Sequence, residues 1–139
     1  MALRLITRFA ALALAAMTLA ACNDASIPKD LKPLPAKLVA SMDRMGMKKT
    51  SPVMIRLFKE ESKLEVWKQR SDGQYALLKT YDICKWSGKL GPKIKEGDRQ
   101  APEGFYSITP AQMNPKSSYY LSFNIGYPNA YDRSLGRTG

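Results

Sequence analysis

The chain of 139 residues contains no histidine and only two cysteines, Cys22 and Cys84. The first absence excludes a Cys-His or Ser-His catalytic pair built from these residues. It also removes the commonest zinc ligand, so neither a metal nor a cofactor is expected. With one cysteine committed elsewhere, as argued below for Cys22, no internal disulfide can form. Acidic residues are scarce, 12 against 22 Lys and Arg, and the net charge is +10. There is no phosphate-cradling glycine loop, no CxxC pair and no internal repeat. No apolar run reaches the ~20 residues that a membrane-spanning helix needs.

What the N-terminus does have is the pattern of an export signal. Arg4 and Arg8 precede a stretch from Phe9 to Ala21 in which Thr18 is the only polar residue. That stretch fits the apolar region of a secretory signal, here residues 1–21, which is removed after export. It ends Leu19-Ala20-Ala21-Cys22. This resembles the lipobox of bacterial lipoproteins, in which small residues enter a narrow peptidase site and the cysteine thiol takes a diacylglyceryl group. Cys22 is therefore the expected lipid-attachment residue, and stable anchoring takes more than one acyl chain. Asn23 is not the aspartate usually linked to inner-membrane retention. The expected location is the periplasmic side of a bacterial envelope. Without residues 1–21 the chain has 118 residues and a net charge of +8, one small domain and a linker. Outside the cytoplasm, the anions that a basic domain meets are lipid headgroups and cell-wall polymers rather than nucleic acid.

Residues 22–51 are expected to form a tether and a short helix. Pro28, Pro33 and Pro35 stiffen the tether. The spacing of Leu38, Met42 and Met45 predicts a helix over about Ala36–Met45, with Gly46 as its stop. From Val53 the period changes to two. Val53, Ile55 and Leu57 share one face of a strand, Leu64 and Val66 one face of the next, and 59–62 is the turn of a hairpin. Ser71-Asp72-Gly73 turns into a third strand over Tyr75–Ile83. Trp67 and Trp86 are expected to cap the sheet, and Cys84 to be a small buried residue. A loop follows to about Pro102, and loops beyond about 12–15 residues are often functional. Further strands are expected over Phe105–Thr109 and Tyr119–Ile125, giving a mostly β domain with one or two short helices.

Ala101-Pro102-Glu103-Gly104-Phe105-Tyr106-Ser107-Ile108 resembles the T-P-x-G-x-[FY]-x-I segment of the L,D-transpeptidase catalytic domain. The strands from Ile55 to Ile83, with Leu64-Glu65-Val66 and a glycine turn, are similar to that family's opening strands. Cys84-Lys85-Trp86-Ser87-Gly88, Gly91-Pro92-Lys93, Glu96-Gly97-Asp98 and the run from Tyr119 to Asn129 resemble a murein transpeptidase-like subgroup more closely. The resemblance covers about residues 52–139. Its order and spacing carry more weight than any one segment.

The resemblance implies a fold and a chemistry. The fold is the N-terminal part of the L,D-transpeptidase β-sandwich. The chemistry is acyl transfer by a cysteine thiolate on peptidoglycan stem peptides, with a histidine as base. A murein-linked envelope lipoprotein is an implied further partner, and some members of the subgroup hydrolyse that link instead. The family's histidine and Ser-x-Gly-Cys segment follow the stretch matched by Tyr127-Pro128-Asn129-Ala130-Tyr131-Asp132-Arg133, and they have no counterpart here. Cys84 matches a position before the long loop, not the nucleophile. No catalytic residue is therefore expected in this chain, which by itself is expected to be inactive and a fragment. Tyr120, Asn124, Tyr127 and Arg133 are the candidates for the substrate cleft, Arg133 through a paired bond to a stem-peptide carboxylate. Two alternatives remain: a non-catalytic lipoprotein that binds murein, and a basic module that binds anionic lipid.

Overall fold

The computed structural model describes residues 27–139. The expected signal, 1–21, and the expected acylation residue Cys22 lie outside the described residues. The chain divides into two compact units, Met1–Lys32 and Pro33–Gly139. Of the first, the described part holds one 3-10 turn, Lys29–Leu31, with no buried side chain.

The second unit begins with helix α1, Ala36–Arg44. Leu38, Met42 and Met45 fall on its covered side as their spacing predicts. Gly46, at φ +68°, ends it. The Gly46 N–H reaches the Asp43 carbonyl at 3.1 Å and the Met47 N–H reaches the Met42 carbonyl at 2.9 Å. These two bonds form a Schellman close, which needs a left-handed residue and so favours glycine. Met42 and Met47 flank that close, and each is only 2% exposed. Their burial is worth about 1.5–3 kcal/mol apiece.

Three antiparallel strands follow in the order β1-β2-β3, namely β1 Val53–Phe58, β2 Lys63–Gln69 and β3 Tyr75–Asp82. Ile55 faces Val66, and Leu57 faces Leu64, which in turn faces Tyr81. This register puts the alternating apolar side chains of β1 and β2 on one face, and a one-residue slip would separate them. The ladder is broken between Val66 and Trp67, where β3 carries an extra residue. The turn into β3 is closed by the Asp72 side chain, which accepts from the Gln74 N–H at 3.0 Å, with Gly73 at φ +82°.

The sheet joins α1 at one end. The Ser71 N–H donates to the Gly46 carbonyl at 2.9 Å. Lys68, on β2, is buried, and its ammonium donates to the carbonyls of Lys49 and Ser51. Burial lowers the pKa of that amine. The apolar residues Val53, Ile55 and Leu57 of β1 are exposed, so the stripe that defines the strand is not covered within the described residues.

The two later strands are shorter than expected. Only Met113–Asn114 (β4) and Ser122–Phe123 (β5) pair, as a separate two-stranded sheet. Tyr120 sits at φ +79°, outside the β region, and breaks the expected strand at its start. At its end, Asn124 accepts the Gly126 N–H at 2.8 Å in a side-chain turn. Phe105–Thr109 is irregular rather than a strand. Side chains take the backbone groups that a ladder would use. Asn129 Nδ2 donates to the Phe105 carbonyl at 2.9 Å, and the Thr109 N–H donates to Gln112 Oε1 at 2.9 Å. A short helix α2, Ala130–Ser134, is capped by Asn129. The described residues are thus mostly β with few short helices. No described helix is long and apolar enough to cross a membrane.

Candidate functional site

Cys84 corrects an expectation: it is exposed, not buried. It lies just past the end of β3, where the sheet no longer covers the chain, and the last bond of that edge is Ile83 N–H to the Ser62 carbonyl at 2.8 Å. Exposure alone does not make it a nucleophile. A reactive thiol needs a base or a cationic setting to become a thiolate. Cys84 has no hydrogen-bond partner among the described residues, and the sequence offers no histidine.

The long loop is ordered by two charged groups. Asp98 accepts the N–H groups of Ile94 at 2.8 Å, Lys95 at 3.0 Å and Gln100 at 3.0 Å, and pairs with Lys93 Nζ at 2.7 Å. The Lys93 ammonium and these N–H groups hold the Asp98 carboxyl far below the usual carboxylate range. Lys59, in the β1–β2 turn, reaches across to the loop. Its ammonium meets the Gly91 carbonyl at 2.7 Å, the Ala101 carbonyl at 3.1 Å and Glu103 Oε1 at 2.8 Å. Trp86 Nε1 ties the start of the loop to Ser62 Oγ at 3.2 Å.

Beyond the loop, a buried carboxylate gathers the segments of the expected cleft. Asp132 is 1% exposed. Its Oδ2 accepts from the Tyr106 hydroxyl at 2.9 Å and from the Asn129 N–H at 3.1 Å. Its Oδ1 accepts from Arg137 Nη1 at 2.8 Å. Burial alone would raise the Asp132 pKa, but Arg137, the Asn129 N–H and the Tyr106 hydroxyl outweigh it, and the net shift is downward. Tyr106 shows the other side of the same contact: burial, then the Asp132 carboxylate, push its hydroxyl up to about 12. Reading the sequence as strands missed this centre. Its only local signal is the spacing of Asn129 and Asp132, a capping box at the start of α2.

Tyr106 and Asn129, both bound to Asp132, also line an open groove of about 590 Å³, together with Ser107, Ile125, Gly126 and Tyr131. None of the four cleft candidates lines it. Asn124 spends its side-chain oxygen on Gly126. The Tyr127 hydroxyl donates to the Lys93 carbonyl at 3.0 Å, and Lys93 Nζ stands 5.7 Å from its ring. Arg133 donates to the Pro128 carbonyl. Tyr120 is exposed on the approach to β5. The groove thus lies beside these residues, along the segments that carry them. Among the described residues no cluster of His, Cys, Asp and Glu could hold a metal ion.

Two curated proteins are similar to this chain. Over 89 residues the chain is 53% identical to "Putative L,D-transpeptidase YafK" of Escherichia coli K12, and equally to the protein of that name in Escherichia coli O157:H7. This similarity supports the L,D-transpeptidase family. The match takes in 64% of this chain but only 36% of each relative, so the chain spans about a third of the length of the curated relatives it matches. No family model matches the chain.

The pairing of Tyr106 with Asp132 makes a pH prediction. A folded pKa of about 12 against the ordinary 10.0 means that the native state holds the phenol proton longer than the unfolded state. Stability from this group is therefore complete below pH 10 and is lost as pH rises towards 12. Tyr106→Phe removes that part of the alkaline loss, while the share of Tyr127, also raised by burial, persists. The same variant is less stable below pH 10 by about 1.5–3 kcal/mol, the worth of a hydrogen bond to a charged group. Urea unfolding at pH 8 and pH 11 checks both. Parallel losses in the two proteins between those pH values would exclude Tyr106 as the titrating group.

Proposed function

We propose that residues 52–139 form the opening part of an L,D-transpeptidase-type catalytic domain, of the murein transpeptidase-like subgroup, that works on peptidoglycan stem peptides. The observation that carries this reading is the 53% identity over 89 residues to the two relatives of that name. In the proposed reaction a cysteine thiolate attacks the amide carbonyl before a terminal D-alanine. D-alanine leaves with the proton, and a thioester remains. An amine of a second stem peptide, or of a murein-linked lipoprotein, then displaces the thiol. The nucleophile and the base of that step have no counterpart among these 139 residues. The part supplied here is substrate-side: the groove, with Tyr120, Asn124, Tyr127 and Arg133 along its flanking segments. The sandwich fold belongs to the same proposal.

We place the protein on the periplasmic side of a bacterial envelope, with 1–21 as signal, Cys22 as the acylated residue and 22–51 as linker and helix. The Leu19-Ala20-Ala21-Cys22 pattern supports this.

The test uses the native protein isolated from the membrane fraction of its host, mixed with disaccharide-tetrapeptide muropeptides and followed by mass spectrometry. Release of D-alanine, a thioester adduct on a cysteine and a cross-linked dimer are the expected products. Release of lipoprotein from murein, without uptake of an amine, would make the protein a hydrolase of the same family. Folded protein that binds sacculi and turns over neither substrate would overturn the enzyme reading and leave a murein-binding lipoprotein. The N-terminal peptide from the same preparation should carry acyl chains on Cys22. An unmodified Cys22 would refute the anchor.

A further inference from the structure

The loop between β3 and Gly104 carries charge that its own folding does not use. Asp98 and Lys59 hold its backbone, and Lys93 is consumed by Asp98. Ser87 Oγ donates to the Arg99 carbonyl at 2.6 Å, and the Ala101 N–H donates to the Ser87 carbonyl at 3.1 Å, which closes the loop at its base. Lys85, Lys89, Lys95 and Arg99 are exposed, and their side chains make no hydrogen bond or ion pair among the described residues. Against these four cations the loop exposes two acids, Glu96 and Glu103, and Glu103 is already paired with Lys59. Among the cations two apolar side chains also face water: Leu90 is 62% exposed and Ile94 is 52% exposed.

An exposed leucine alone needs no explanation. The combination does. Unpaired cations on a fixed backbone repel one another, and an anionic surface relieves that repulsion without first having to order the loop. A dissolved polyanion would meet the charges but leave Leu90 and Ile94 in water. A bilayer takes both, with headgroup phosphates on the cations and the acyl boundary around the apolar side chains. We propose that this loop is a docking surface for an anionic lipid bilayer. The proposal does not depend on the murein reading. It assigns the membrane contact to the folded domain itself, apart from any acyl chain on Cys22.

Exposed Cys84, at the root of the loop, provides a local reporter. The full chain carrying Cys22→Ser, so that no acyl chain contributes, is labelled at Cys84 with an environment-sensitive fluorophore. It is then mixed with vesicles of phosphatidylglycerol and phosphatidylcholine, or of phosphatidylcholine alone. The loop variants below share the N-terminal apolar segment, so a change among them reports the loop and not insertion of that segment. A blue shift is expected on the anionic vesicles alone, and it should fade as salt shortens the Debye length. Lys89→Gln with Arg99→Gln should lower the shifted fraction at least tenfold, the scale expected for two surface cations. Leu90→Ser with Ile94→Ser should abolish the blue shift even at low salt. Lys37→Gln with Lys116→Gln makes the same change in net charge elsewhere and should leave the shift in place. Equal shifts on both vesicle types, no shift on either, or equal loss with the control pair would overturn the proposal. So would a loop-dependent response to soluble polyphosphate that matches the response to vesicles, because the partner would then be a polyanion.

Discussion

Replacing Asp132 with alanine lowers the midpoint of thermal unfolding by about 10 °C or more. Three donors converge on that carboxylate: the Tyr106 hydroxyl, the Asn129 N–H and Arg137 Nη1. Removing it leaves each without its acceptor in a place where water enters poorly, and Arg137, 14% exposed, loses the carboxylate it is paired with. Loss of one partner from a buried charged set does more harm than the net worth of the set, because the remaining group still bears its desolvation. Asp132→Asn retains an acceptor oxygen but turns an amide towards a donor, so its loss should be intermediate. Asp82→Ala is the comparison. That carboxylate pairs with Lys63 on the surface at 79% side-chain exposure, and such pairs contribute little. Melting curves of the three variants decide the matter. A midpoint for Asp132→Ala no lower than that for Asp82→Ala would mean that the buried network does not hold this end of the domain.

The groove should change with it. Tyr106 and Asn129 form part of its wall, and both are positioned by Asp132. The downward pKa shift keeps Asp132 charged across the neutral range. Its contribution is present above the ordinary carboxylate value of 3.8 and is lost as pH falls through the lower folded value.

Lys59→Met should free the long loop while the sheet stays folded. Two effects compete at Lys59. Its ion pair with Glu103 lies partly in solvent, and a pair of that kind is worth about 0–1 kcal/mol. Its bonds to the Gly91 and Ala101 carbonyls are part-buried and charge-assisted, and hydrogen bonds of that class are worth about 1.5–3 kcal/mol. The carbonyl bonds therefore dominate. Amide exchange in 84–102 should speed up by a factor of ten or more in Lys59→Met, with little change in β2. Glu103→Gln, which removes the charge and keeps an acceptor, should alter exchange by a few-fold at most. Equal effects of the two variants would show that the ion pair, not the carbonyl clasp, orders the loop.

How much of this was legible beforehand depends on the range of the interaction. The helix over Ala36–Arg44, its stop at Gly46 and the three strands from Val53 to Asp82 follow from periodicity and turn residues. Each of those signals acts over a few residues, so neighbours in sequence suffice to express it. The strands expected at 105–109 and 119–125 looked equally apolar and alternating. The first formed no strand because side chains of Asn129 and Gln112 took its backbone groups, and the second was cut back to Ser122–Phe123 by the backbone at Tyr120 and the turn at Asn124. Cys84 looked buried by residue type and is exposed by position.

By itself the sequence determined what is local or compositional. It carries the positive charge, the absence of histidine, the apolar stretch from Phe9 to Ala21 before Cys22, and the hairpin with its register. Only the tertiary structure decided which side chains meet. Tyr106 and Asp132 are 26 residues apart, and Lys59 and Ala101 are 42 apart. No periodicity links such positions. Their pairing comes from desolvation, because a carboxylate or ammonium taken out of water must find every partner that the folded chain can bring to it.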